Sequence, residues 1–122
     1  MRLNILSRSF EKLDVWKRAA SLAVMLFELL ENDKHFGLKD QILRSAVSIV
    51  SNIAEGSERD SIADFNRFLS YAKGSAAELR TQIYIACKAE IIDEIKAKEI
   101  IEEVKSISKM IQSLQNSLKV KK

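Results

Sequence analysis

The residues best equipped for chemistry are few and far apart. One histidine, His35, and one cysteine, Cys87, are the chain's single near-neutral base and single thiol. His35 falls in a polar stretch between two apolar stripes, and Cys87 ends an apolar run. No spacing pattern joins them. A thiol among apolar neighbours keeps its proton and is inert rather than nucleophilic. Glu55 and Glu78 are a carboxylate pair that helix packing would bring together. A bundle dimetal site also needs Glu-x-x-His partners on facing helices, which are absent. There is no glycine-rich phosphate loop. A single cysteine also excludes a disulfide framework. The expectation is a non-enzymatic protein with no metal and no cofactor.

Charge offers more. The 122 residues carry 20 Lys+Arg against 17 Asp+Glu, a net charge of +3. The excess sits at the ends. Residues 104–122 hold five lysines and no acid, and residues 1–18 hold five basic residues against Glu11 and Asp14. Such ends permit an anionic partner. The candidates for nucleic-acid contact are Lys12, Lys17, Arg18, Arg59, Arg67, Lys119, Lys121 and Lys122, although charged helix faces are most often simply solvated. Aromatic residues interleaved with cations would suggest base stacking. Phe10, Trp16, Phe27, Phe65 and Phe68 fall on apolar stripes and read as core. Tyr71 and Tyr84 are the exceptions.

A polar stripe is the third feature. Gln41, Ser45, Ser48, Asn52 and Glu55 repeat at 4-3-4-3 spacing and form one helix face. A small-residue patch, Gly74, Ser75, Ala76 and Ala77, followed by Glu78, matches it further along. A mid-helix glycine costs about 1 kcal/mol relative to alanine, so close packing at Gly74 is expected. The stripe reads either as a solvated face with a tight crossing, or as a hydrogen-bonded network or subunit contact. Arg44 beside it would contact nucleic acid or pair with Glu55 or Glu78; the pairing is favoured.

The elements that position these residues follow from periodicity. Leu13, Trp16, Ala20, Ala23, Phe27 and Leu30 form one stripe, flanked by Val15, Ala19, Leu22, Leu26 and Leu29, which predicts a helix over 14–31. Gly37 marks a break. Ile42, Ala46, Ile49 and Ile53 predict a helix over 38–55, with Gly56 in a left-handed C′ position. Asp60 or Ser61 caps a helix over 61–89 built on Ile62, Phe65, Leu69, Ala72, Ala76, Leu79, Ile83 and Ala86. Asp93 caps a last helix over 94–119 built on Ala97, Ile100, Val104, Ile107, Ile111, Leu114 and Leu118.

Short connections make these an all-α, up-down-up-down antiparallel four-helix bundle, in one domain spanning 1–122. The last two helices are longest and would project as a hairpin whose end another chain covers. The ten N-terminal residues lack the apolar core of a signal peptide, and 19–27 is too short an uncharged run to cross a bilayer. A soluble, cytoplasmic protein is expected.

Four segments together resemble a known family. Residues 41–56, QILRSAVSIVSNIAEG, resemble the QxxRSAxSIxxNIAEG core of the four-helix-bundle proteins encoded in 23S rRNA intervening sequences. Residues 10–17, FEKLDVWK, resemble the family's opening segment; Phe36-Gly-Leu38 precedes the core as in the family; and residues 65–79 resemble its third-helix motif. The family usually has proline before Phe-Gly-Leu, where this chain has Glu31 to Lys34. The resemblance implies barrel-shaped homopentamers. It also implies kinship with accessory variability proteins of diversity-generating retroelements, which bind nucleic acid and a reverse transcriptase. Partners so implied are RNA or DNA, a second protein, and further copies of the chain. Five copies at +3 would make a substantial positive field. The alternative is a pure assembly module that docks proteins.

Overall fold

The computed structural model describes residues 9–120. A single 3-10 turn, Phe10–Lys12, leads into four helices: α1 (Asp14–Leu29), α2 (Phe36–Ser57), α3 (Ile62–Lys88) and α4 (Glu94–Val120). No strand occurs among the described residues. Consecutive helices pack side by side, α2 against α3 most extensively, and α1 meets α4 to close the bundle.

Local chemistry explains most helix ends. The Ser61 hydroxyl accepts from the Asp64 amide at 3.0 Å, and Asp64 places negative charge in the first turn of α3. The Asp93 carboxylate accepts from the Lys96 amide at 2.8 Å and starts α4 in the same way. Between them lies the left-handed residue Glu90, φ 63°. The Ile91 amide donates to the Ala86 carbonyl at 2.8 Å and the Glu90 amide to the Cys87 carbonyl at 3.0 Å, which is a Schellman closure of α3. Buried Ile92 then turns the chain back onto the core.

Several expectations change. Helix α2 begins at Phe36, so Gly37 lies within its first turn and breaks nothing. It also runs through Gly56 to Ser57, with Glu58 as the cap. Gly56 does not have positive φ. Its function is proximity: a Cβ there would stand 2.7 Å from the Phe68 Cβ and 3.2 Å from the Phe65 carbonyl oxygen. At Gly74, where close packing was expected, a Cβ would meet nothing within 4 Å.

The core is one cluster shared by all four helices, including Leu26, Ile49, Ile53, Leu69, Leu79, Ile100 and Ile107. On α1 the inward face is the flanking stripe of Val15, Ala19, Leu22 and Leu26, together with Ala23. Phe27 is 50% exposed, against the core position expected for it, and Ile62 on α3 is also exposed. Trp16 is half-buried and stacks at a tilt on Phe10, with centroids 5.1 Å apart. The far end of the α3–α4 hairpin needs no second chain for its inner face. Ile83, Ala86, Ile92 and Ala97 are already buried there. None of the helices described is long and apolar enough to cross a membrane.

Candidate functional site

The polar stripe lies along the α2–α3 crossing. Ser45 and Ser75 are buried, and the Ser48 and Ser75 hydroxyls share a hydrogen bond of 2.7 Å. The Asn52 amide donates to the Ser48 carbonyl at 2.9 Å and to the Ser48 hydroxyl at 3.1 Å. Ser48, Asn52 and Ser75 form a small network in which both hydroxyls are satisfied. A double-mutant cycle on Ser48→Ala and Ser75→Ala should show coupling of about 1 kcal/mol by urea unfolding, because either single change already removes the shared bond. Strictly additive losses would mean the two hydroxyls do not interact.

Other members of the stripe stand apart from that network. Gln41, Arg44, Ser45 and Glu78 line an open groove between α2 and α3. Arg44 pairs with neither Glu55 nor Glu78; its Nε donates to Asp40 Oδ2 at 2.7 Å, one turn back on the same helix. That pairing follows from i,i+4 spacing, a local contact that needs no partner helix. Glu55 pairs in turn with Arg59, and Gly74 faces outward on α3.

The basic candidates converge. Alternating helix directions put the start of α1, the end of α2, the start of α3 and the end of α4 at one end of the bundle. Arg59, Arg67 and Lys119 therefore share that end, and Lys12 lies toward it, whereas Lys17 and Arg18 sit further along the bundle beside Glu103 in the first half of α4. Lys121 and Lys122 lie outside the described residues. Gln115 on α4 ties the end together: its buried side chain donates to the Asn66 carbonyl at 3.1 Å and to the Ser70 hydroxyl at 3.0 Å. Gln115 is legible in the sequence only as a polar residue interrupting an apolar stripe.

Acids offset part of the charge. Arg18 Nε donates to Glu103 Oε2 at 3.0 Å, across from α1 to α4. Arg59 pairs with Glu55 at 2.7 Å and Arg67 with Asp64 at 2.9 Å. Lys12, Lys17 and Lys119 have no ion-pair partner among the described residues, so their charge faces outward uncompensated.

Two of the arginines meet on one ring. Arg59 lies 4.6 Å and Arg67 5.0 Å from the centroid of Phe68, which is itself packed against Gly56. Arg67 Nη1 also donates to the Tyr71 hydroxyl at 3.2 Å. That bond, together with the Asp64 carboxylate, raises the Arg67 pKa further above its ordinary value. Phe68 supports Tyr71 edge-on, with centroids 5.4 Å apart and planes at 81°. The sequence placed Phe68 in the core, where its ring does lie. Its second role, as a platform for two guanidinium groups, depends on the α2–α3 turn.

His35 and Cys87 lie in separate elements. The His35 ring bonds Asp33 Oδ1 at 3.0 Å in the α1–α2 loop, and that contact holds the Asp33 carboxyl below the usual carboxylate range. Cys87 is a free, half-buried thiol at the end of α3.

The sequence pattern of the 23S rRNA-intervening sequence protein family matches residues 11–113, most of the described chain. The chain belongs to that family. A crystal structure of a protein of unknown function from the S23 ribosomal protein family of Bacteroides thetaiotaomicron VPI-5482 superposes with a TM-score of 0.78. It is 30% identical, and the alignment covers 83% of this chain and 97% of that one. No curated protein matches.

Proposed function

We infer that this family member is a non-enzymatic, ring-forming protein that binds nucleic acid, RNA first, through the basic end of its bundle. The observation that carries this reading is topological. The α2–α3 turn and the end of α4 lie at one end, with the start of α1 pointing toward it, and Lys12 and Lys119 there have no acidic partner among the described residues. Family membership supports it through the rRNA setting the family name records. Self-assembly is supported by apolar residues turned away from the single-chain core, including Val24 and Phe27 on α1 and Tyr84 and Ile85 on α3. A ring repeats one weak basic end several times, which multiplies phosphate contacts without new chemistry.

Binding of this kind is governed by counterion release. An assembly making about 6–10 phosphate contacts should lose about 1,000- to 100,000-fold in affinity between 50 and 200 mM salt. Fluorescence anisotropy with a structured RNA, on protein whose mass is fixed by light scattering, measures this directly. Changing Lys12, Lys17 and Lys119 to glutamine should flatten the salt slope. Absence of RNA binding at 50 mM salt would sink the reading. The surviving explanation would then be a module that docks proteins through those apolar faces.

A further inference from the structure

We propose that the chain binds a second copy of itself head to tail, with the acid-rimmed apolar face of α1 on one copy seated on the base-rimmed apolar face of α3 on the next. The proposal rests on the assembly part of the reading above and adds which surfaces meet.

The two faces belong to different sides of the molecule. Helix α1 packs on α2 and α4, and α3 packs on the same two helices, so α1 and α3 stand diagonally across the bundle. Val24 and Phe27 on α1 are 57% and 50% exposed, and Tyr84 and Ile85 on α3 are 52% and 50% exposed. A lone exposed apolar side chain is ordinary, but a pair at one level of a helix makes a patch. One chain cannot close these two patches on each other. A two-fold contact sets one patch against itself and leaves the other bare. A head-to-tail contact covers both.

Charge selects the partner. Val24 and Phe27 are flanked by Glu28 and Glu31, which are exposed and have no ion-pair partner among the described residues. Lys39 reaches the Glu31 carbonyl at 3.1 Å, not its carboxylate. Tyr84 has Arg80 one turn before it and Lys88 one turn after it on the same helix face. Neither cation has an ion-pair partner among the described residues. The acids of the α3–α4 turn lie past Lys88, and the Asp93 carboxylate is engaged in capping α4. Complementary rims of this kind fix which face meets which.

The level of the two patches also fits. Helices α1 and α3 run in the same direction, and both patches lie in the half of the bundle away from the α2–α3 turn. A neighbour is therefore reached by rotation without a slide along the bundle, which is the condition for a closed ring rather than a filament. The outer face of α3 below Tyr84 carries exposed Gly74 and Ala77, so a second helix can approach it closely. Nothing within the single chain requires the missing Cβ of Gly74.

The test uses two variants, V24E/F27E and Y84E/I85E, each of which keeps one working face. Light scattering gives the mass of each alone and of an equimolar mixture. Each alone should be a monomer. The mixture should double in mass and stop there, because its one intact pair of faces joins two chains and cannot propagate. Circular dichroism checks that each variant is folded. Assembly of Y84E/I85E as in wild type overturns the proposal, and so does a mixture that stays monomeric. Should either variant fail to fold, charge reversal decides: E28K/E31K and R80E/K88E should each lose assembly, and the chain carrying all four changes should regain it. No recovery in that chain overturns the proposal. A monomeric wild type overturns this proposal and the ring together, whereas an oligomer that ignores these substitutions overturns the proposal and leaves the ring.

Discussion

Replacing Leu26 with alanine should destabilise the protein by about 2–5 kcal/mol, whereas replacing the larger Phe27 should cost less than about 1 kcal/mol. The two residues are adjacent on α1, and their order is the reverse of side-chain size. Leu26 is 0% exposed within the shared cluster, so its truncation leaves a cavity lined by neighbours that are themselves pinned. Phe27 is half exposed, and its truncation mostly removes surface already in water. A domain of this length has about 5–15 kcal/mol of stability in total, so Leu26→Ala takes a large share of it. Urea unfolding followed by circular dichroism, at concentrations low enough to hold the chain monomeric, checks both. A Phe27→Ala loss matching that of Leu26→Ala would mean that α1 is rotated from the orientation described.

Gly56→Ala and Gly74→Ala should change stability in opposite directions. Both glycines lie within helices, where alanine alone would add about 0.5–1 kcal/mol. At Gly74 the new methyl meets open space, so that gain should appear in full, provided no second copy covers the site. At Gly56 the methyl would stand 2.7 Å from the Phe68 Cβ. A Cβ is anchored to the backbone and cannot swing aside, so α2 and α3 must move apart there. Overpacking of this kind costs about 1–3 kcal/mol, which outweighs the gain in helix propensity. The loss should also reach the arginine cluster, because Phe68 supports Arg59, Arg67 and Tyr71. Thermal melts of the two variants give the sign. Gly56→Ala melting at or above the wild-type temperature would contradict the packing at that corner. Gly74→Ala that melts normally as a monomer but fails to assemble would place Gly74 in a contact between copies.

Much of this architecture is legible in the sequence. The apolar periods predicted four helices in their observed order, with ends displaced by a residue or two. The start signals at Asp60 or Ser61 and at Asp93 are legible because a cap is a contact within three residues, and of the first two it is Ser61 that caps. The same locality makes the Asp40–Arg44, Glu55–Arg59 and Asp64–Arg67 pairs recoverable from i,i+3 and i,i+4 spacing alone. For Arg44 the motif carboxylates Glu55 and Glu78 compete in the sequence with Asp40, and the structure selects Asp40, one turn away on the same helix.

By itself the sequence determined what depends on neighbours along one helix: fold class, helix order, caps, charge at the two chain ends, and the motif that carries the family. The tertiary structure decided what depends on two helices at once. On α1 two apolar stripes lie side by side, and periodicity cannot say which faces inward; packing against the other helices selected Leu26 over Phe27. A glycine looks the same in sequence whether it permits a left-handed turn or a close approach, and only the position of Phe68 distinguishes them at Gly56. The gathering of Arg59, Arg67 and Lys119 at one end has the same origin. Residues far apart in the chain become neighbours because antiparallel helices return each terminus to the end from which the first one started.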